Sequence, residues 1–473
     1  MKKIICITMA AMLAGACSSF LDVNPKGEVF DADMFESAEG YEDALYGVYN
    51  EVASEEFLFG GYLLWIPEAL SWNESISDYM LKPMAEGSWE FANMTTKEKL
   101  WAACYTAINH VNNIIAHAEK DSPGRFRYSK LYYGEALALR ALLHFELLRI
   151  YGAPYWASDS YKAVSIPYVD SYSFAISPYL SWEEAFGRVL DDLKKAESLL
   201  GQDEELLPEI RSNSAMGFTD ARITHLNLYA VQALMARVYW TMNDMGNAAL
   251  YALKVIDCGK FRFRPMRAFV QPDNGTLDMD ETIFGLYSTE FETRNRSKYQ
   301  LGTSSSSGFV LASDWNALYN DGSASSGSDY RLNAWFDAGE AKLNKMVNAS
   351  YYSGGAASYT GSSILGASIL RIPEMYYIVA EYYLPSNTMK AAEYMNAVTA
   401  SRGLDAVVYL NAGLLFRERR KEFYGEGFTW HEMKKMKMSI TTDSGAVLDG
   451  NLESTWMMPI SKDEEDGRNN LEK

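Results

Sequence analysis

Cys17 is the first residue whose setting suggests chemistry. Ala14-Gly15-Ala16 lead into it and close an apolar run that begins at Ile4, just after Lys2-Lys3. A charged start, an apolar run and a small-residue end form a secretory signal. The run is shorter than the roughly 20 residues a membrane-spanning helix needs. A cysteine directly after the small residues is the bacterial lipoprotein pattern: residues 1–16 are removed, and Cys17 is acylated as the new N-terminus. Each buried methylene of an acyl chain adds about 0.8 kcal/mol of membrane affinity, so two or three chains anchor firmly. Ser18 to Asn24 then form a tether that Pro25 helps to end. Ordinary secretion with an incidental cysteine is the plainer alternative.

Few other residues are spaced for reaction chemistry. Cys6 leaves with the signal; Cys104 and Cys258 sit in helical apolar patterns and read as buried free thiols. The five histidines form no HExxH. His110 and His117, seven apart, share a helical face and read as a packed or exposed helix edge. "GTSSSSG" is no nucleophile elbow, because it lacks GxSxG and flanking strands. P-loop and GxGxxG patterns are absent. Glu183-Glu184 and Asp191-Asp192 fall in an amphipathic pattern, which places them on a solvated face. Arg417-Glu418-Arg419-Arg420-Lys421-Glu422-Phe423 interleaves both signs, as a salt-bridged helix does. No segment recommends catalysis or a cofactor. A glycosidase drawing two acids from distant positions is the enzymatic alternative.

The formal net charge is −19, and loss of Lys2 and Lys3 takes it to −21. Such a surface repels phosphates, which argues against nucleic-acid partners. Aromatics make up 14%, with 32 Tyr and 11 Trp. Some must lie near the surface, where they can stack on sugars or other flat ligands.

The elements that would position them are helical. A 3.6-residue period runs over Leu100–Glu119, Tyr128–Tyr151 and Trp182–Leu200, the last capped by Ser181 with Glu184 three residues on. Leu226–Met242 and Asn247–Cys258 form one hairpin, and Pro373–Tyr383 and Met389–Arg402 another. A last helix is expected over Leu410–Tyr424. The hairpins share Ala236, Tyr239, Ala248 and Ala380, Tyr383, Ala392 at the same spacing, the logic of tetratricopeptide-type repeats. The expected fold is therefore mainly α: a tetratricopeptide-like helical-repeat scaffold (about 30–59, 97–260 and 369–440). Two irregular, aromatic loop regions interrupt it, at about 60–96 and 261–368. The long second one is rich in Gly, Ser and Tyr, and a loop of that length is functional or disordered. Trp315, in "DWNALYN", reads as part of a short packed helix.

Six segments, in order, resemble the SusD/RagB family of outer-membrane nutrient-binding lipoproteins from Bacteroidetes. They are "FLDVNPKGEVF", "ALRALLHFELLRIYGAPYW", "ALMARVYWTMNDMGNAALYALKVID", "LRIPEMYYIVAEYY", "RERRKEFYGEGFTWHEMKK" and "MMPISKDE". Tyr382, Thr429 and His431 depart from the family pattern, as does the short tail "RNNLEK". The resemblance covers most of the chain and implies residues 17–473 as a single SusD-like domain. It also implies a role without catalysis or cofactor: capture of glycans, or in some branches peptides, for a SusC-like TonB-dependent outer-membrane transporter that the protein caps. The protein would be lipid-anchored in the outer membrane and face the cell exterior. The family's site position implies ligand contacts from Trp72, Asn73, Asp78, Tyr79 and Lys82 on one side. Arg296, Tyr299 and Phe309 would supply the other. A purely structural subunit of the transporter complex is a further alternative.

Overall fold

The computed structural model describes residues 31–88, 94–122, 124–157, 164–211, 217–270, 272–299, 308–311, 315–320, 329–337, 342–347, 364–460 and 464. The signal, Cys17, the tether through Pro25 and Trp89 lie outside these residues. Twelve helices carry the architecture: α1 (Ala38–Ser54), α2 (Tyr62–Ser71), α3 (Met94–Lys120), α4 (Ser129–Tyr151), α5 (Trp182–Leu199), α6 (Leu228–Thr241), α7 (Met245–Asp257), α8 (Glu290–Tyr299), α9 (Ile372–Tyr383), α10 (Thr388–Ser401), α11 (Ala412–Glu422) and α12 (Phe428–Met436). Packing runs α3 on α4, α4 on α5, α6 on α7, α7 on α9 and α9 on α10.

The repeat logic holds in three dimensions. Ala236, Ala248, Ala380 and Ala392 are all buried, so the paired helices approach closely. Tyr239 stacks on Tyr251 with ring centroids 5.7 Å apart, and Tyr383 stacks on Tyr394 at 5.8 Å. The two hairpins thus repeat one aromatic contact. The cap of α5 is a full capping box: Ser181 Oγ accepts the Glu184 N–H at 3.3 Å, and the Glu184 carboxylate accepts the Ser181 N–H at 3.0 Å.

Helix α4 is the axis of the core and is buried from Gly134 to Tyr151. Its interior charges are satisfied from neighbouring elements. Arg222 donates to Glu135 at 2.6 Å and to Asp203 at 2.7 Å. Arg140 grips Asp192 with two hydrogen bonds of 2.7 and 2.8 Å, and the Tyr168 hydroxyl donates to the same carboxylate at 2.6 Å. The solvated face expected for Asp192 is therefore corrected: an arginine arriving from α4 is what buries it.

Three further expectations change. The first loop region contains α2, which is buried on nearly every side and so shows no period, with Pro67 inside it. The charged α8 lies in the second region, where apolar period is equally missing. Helix α11 is not the last, because α12 follows Gly425-Glu426-Gly427. Those glycines adopt φ of 80° and 71°, and their N–H groups donate to the buried Glu68 carboxylate of α2 at 3.1 and 2.8 Å. A Cβ on Gly427 would come within 2.8 Å of Leu64 O. Glycine is therefore required there.

The mixed-charge segment of α11 is packed, as its pattern predicts, and it ties the insertion to the scaffold. Glu418, Arg419, Lys421 and Glu422 are all buried. Glu422 receives Arg371 and Arg402 at 2.8 Å each, with Arg331 at 3.3 Å. Burial alone would raise the Glu422 pKa, but Arg402 and Arg371 outweigh it and hold the carboxyl well below its usual range.

Short strands accompany the helices: β1 (Glu74–Ile76), β2 (Val164–Pro167), β3 (Tyr179–Ser181), β4 (Thr282–Tyr287), β5 (Phe309–Leu311), β6 (Phe336–Asp337), β7 (Lys342–Leu343) and β8 (Gly366–Arg371). They pair antiparallel as β1–β5, β2–β3, β4–β8 and β6–β7.

Candidate functional site

Strand β1 lies in the first loop region and β5 in the second, and they pair with Ile76 opposite Phe309 and Glu74 opposite Leu311. The seam continues past the strands. Ser77 N–H donates to Gly308 O at 2.9 Å, and Gly308 N–H donates to Ser77 Oγ at 3.2 Å. Asp78 follows. Its Oδ1 accepts the Met80 and Leu81 amides at 2.9 and 3.0 Å, and its Oδ2 accepts the Lys298 ammonium of α8 at 2.6 Å. That ammonium also lies 4.9 Å from the centroid of the Trp65 ring. The two regions expected to form the site thus meet along one seam.

The expected contact residues divide within it. Tyr79 is 69% exposed at the surface. Lys82 and Arg296 are half-buried, with Arg296 held by Glu292 at 2.6 Å. Tyr299 and Phe309 stack on each other at 4.9 Å and are buried, as is Asp78. Trp72 ends α2 with φ at 52°, a strained value for a bulky residue. Its indole donates to Ala85 O at 3.0 Å, which fixes it in the core. Asn73 donates to Glu68 at 2.8 Å and to Thr429 at 3.0 Å, and accepts Arg420 at 2.7 Å. These contacts join α2 to the C-terminal helices. In this conformation Trp72, Asn73, Asp78, Tyr299 and Phe309 support the seam from below, while Tyr79 stands clear of it.

Within the seam, burial and then the Glu68 carboxylate push the Glu74 pKa well above the usual carboxylate range.

Beside β6 the structure reveals a cleft of about 460 Å³. Trp315 and Phe336 stack at 4.9 Å in its lining, and Asn316, Asn320, Asn333, Asp337 and Asn344 supply its polar groups. Asn316, Asn320 and Asn333 are exposed. Each amide both donates and accepts, which suits hydroxyl groups that do the same. Strand β6 pairs with β7, and β7 packs on β5, so these strands connect the cleft to the seam. The sequence offered one signal for this cleft, four asparagines between 316 and 344. It was hidden because Trp315 reads correctly as a packed helix, Trp315–Tyr319.

Among the described residues no group of three or more His, Cys, Asp and Glu side chains is placed to hold a metal ion. His110 pairs with Glu51 at 2.7 Å, and His117 stacks on Phe35. Cys104 is buried and Cys258 half-buried, both as free thiols, and burial pushes both pKa values up. No described helix is long and apolar enough to cross a membrane.

Residues 19–240 match the SusD-like family described as "Starch-binding associating with outer membrane". A SusD-like protein of Bacteroides ovatus is 22% identical over 91% of this chain and 82% of its own length. The fold matches a SusD superfamily protein from Bacteroides thetaiotaomicron with TM-score 0.70 at 21% identity, covering 91% of this chain and 98% of that one. It also matches a SusD-like carbohydrate binding protein from Bacteroides vulgatus (TM-score 0.69, 17% identity, 91% and 96% covered). A third match is surface glycan-binding protein A from Bacteroides thetaiotaomicron (TM-score 0.71, 15% identity, 93% and 98% covered). Residues 19–240 thus match the SusD-like family in sequence, and most of the chain's length matches SusD superfamily structures in fold.

Proposed function

We propose that the protein is a non-catalytic, cell-surface glycan-binding lipoprotein that hands its ligand to a SusC-like TonB-dependent outer-membrane transporter. The observation that carries the binding role is the pairing of exposed Tyr79 at the seam with a solvent-facing, asparagine-lined cleft beside β6. Aromatic faces cover the apolar faces of sugar rings, and amides pair with their hydroxyls. The fold neighbours named for carbohydrate or glycan binding support the ligand class. The family's description supports an outer-membrane setting, and the residues around Cys17 support a lipid anchor. A peptide ligand would favour a deep, enclosed cavity; this cleft is open, with three exposed asparagines. Calorimetric titration with oligosaccharide and peptide panels separates the two, and co-purification with the transporter tests the partnership.

A further inference from the structure

A second cavity, of about 260 Å³, lies between the scaffold and the insertion, apart from the seam and cleft. Glu146 and Arg149 of α4, Trp335, and the less buried Arg264 and Asp278 are among its lining residues. Several ion pairs around it are closed: Arg237 on Glu374, Lys345 on Glu426 and Arg371 on Glu426, each at 2.6 Å. Two are not. Arg149 Nε stands 3.5 Å from Glu146, and Arg264 Nε stands 3.4 Å from Asp278.

Four buried polar atoms on this lining have no hydrogen-bond partner among the described residues: Arg149 Nε, Arg264 Nε, Trp335 Nε1 and Glu146 Oε1. Arg149, Glu146 and Trp335 are only 9%, 2% and 2% exposed. Buried polar groups are almost always paired, so orphans gathered on one cavity mark an occupant. Three of the four are donors, two of them on guanidinium groups, and the fourth is a carboxylate oxygen. The complementary molecule supplies a carboxylate to the donors and a hydroxyl or ammonium to Glu146. Pockets for drug-sized ligands run to about 300–1,000 Å³, so this one suits a single small molecule rather than a chain. Burial, with Arg237 adding to it, lowers the Arg149 pKa to about 10 against the pull of Glu146. That is the state of a cation short of anionic contact.

We infer that this cavity binds one small organic acid that carries a hydroxyl or ammonium group beside its carboxylate. The test is calorimetric titration of the full-length chain with D-glucuronate, L-serine and, as a neutral control, D-glucose. At least one acid binds with unit stoichiometry, and the glucose affinity is about tenfold lower or less, the order expected from losing a charged hydrogen bond. The glucuronate and serine arms separate an acidic sugar from an amino acid as the source. Trp335→Phe keeps a ring but removes the donor; it weakens acid binding severalfold while the variant still melts cooperatively, at a somewhat lower Tm because the smaller ring leaves a void. Glu146→Gln, which changes the acceptor while keeping the shape, weakens it too. Tyr79→Ala leaves acid binding unchanged, which separates this site from the proposed glycan surface. No heat from either acid, glucose binding equal to theirs, or unchanged affinity in both cavity variants would overturn the inference and leave a water-filled cavity.

Discussion

Asp78 and Lys298, 220 positions apart in sequence, meet at 2.6 Å. One belongs to the turn after β1 and the other to α8, so their contact fastens the two loop regions to each other. Both are largely buried, and Asp78 also accepts two backbone amides.

Asp78→Ala leaves a buried ammonium without its partner and two amides without their acceptor. Breaking a buried pair from one side costs about 3 kcal/mol. The urea midpoint should fall accordingly, and ligand affinity should fall with it as the seam loosens. Asp78→Asn keeps an amide acceptor and should recover part of the loss. An unchanged midpoint in Asp78→Ala would show that the seam is held by the β1–β5 pairing alone.

Glu422 is the corresponding fastener between insertion and scaffold. Glu422→Gln removes the charge that Arg371 and Arg402 share, with an expected loss of about 3–5 kcal/mol. The pH dependence follows from its depressed pKa. A glutamate in the unfolded chain titrates near about 4.3. The stabilisation is therefore full above that value and drains as pH falls below it. Denaturant midpoints should decline between pH 5 and 3, and the decline should be shallower in Glu422→Gln.

His144 should stay neutral in the folded protein. Its Nδ1–H donates to Arg140 O at 2.9 Å, and its Nε2 accepts the Val169 amide at 3.0 Å, so neither nitrogen has room for a second proton. Burial lowers its pKa to about 3. Because the unfolded histidine takes a proton near about 6.5, its contribution to stability is present above that pH and is lost as pH falls toward 3. Ring carbon shifts followed by NMR from pH 7 to 5 should be flat for His144. His110 should titrate above its ordinary value, because it hydrogen-bonds Glu51. A His144 midpoint near 6.5 would contradict this packing.

Cys17→Ala should lose its acyl chains and move to the soluble fraction on cell fractionation. Retention in the membrane would mean that the anchor lies elsewhere.

The scaffold was legible because its helices carry a clear apolar period, and the Tyr239 and Tyr383 hairpins repeat a spacing that packing requires. Helix α2 was not legible, because a helix buried on every side shows no polar face. The pairing of Asp192 with Arg140 was equally hidden: a carboxylate reads as solvated until a distant arginine is known to reach it. For the site, sequence located the two loop regions that meet. It could not separate Tyr79, which is exposed, from Trp72 and Asn73, whose hydrogen bonds to Ala85, Glu68 and Thr429 hold them inside. The asparagine cleft was missed because its members are spread over separate short elements that only the fold brings together.

The central claim is tested most directly by calorimetric titration of the purified protein with oligosaccharide and peptide panels, alongside Tyr79→Ala. Saturable heat from at least one oligosaccharide and none from peptides is expected. Tyr79→Ala should bind about tenfold more weakly, equivalent to about 1.4 kcal/mol. Its stability should stay within about 0.5 kcal/mol of the parent, as for an exposed position. Heat from peptides alone, or full oligosaccharide affinity in Tyr79→Ala and in Asn316→Ala, would contradict glycan binding at this surface.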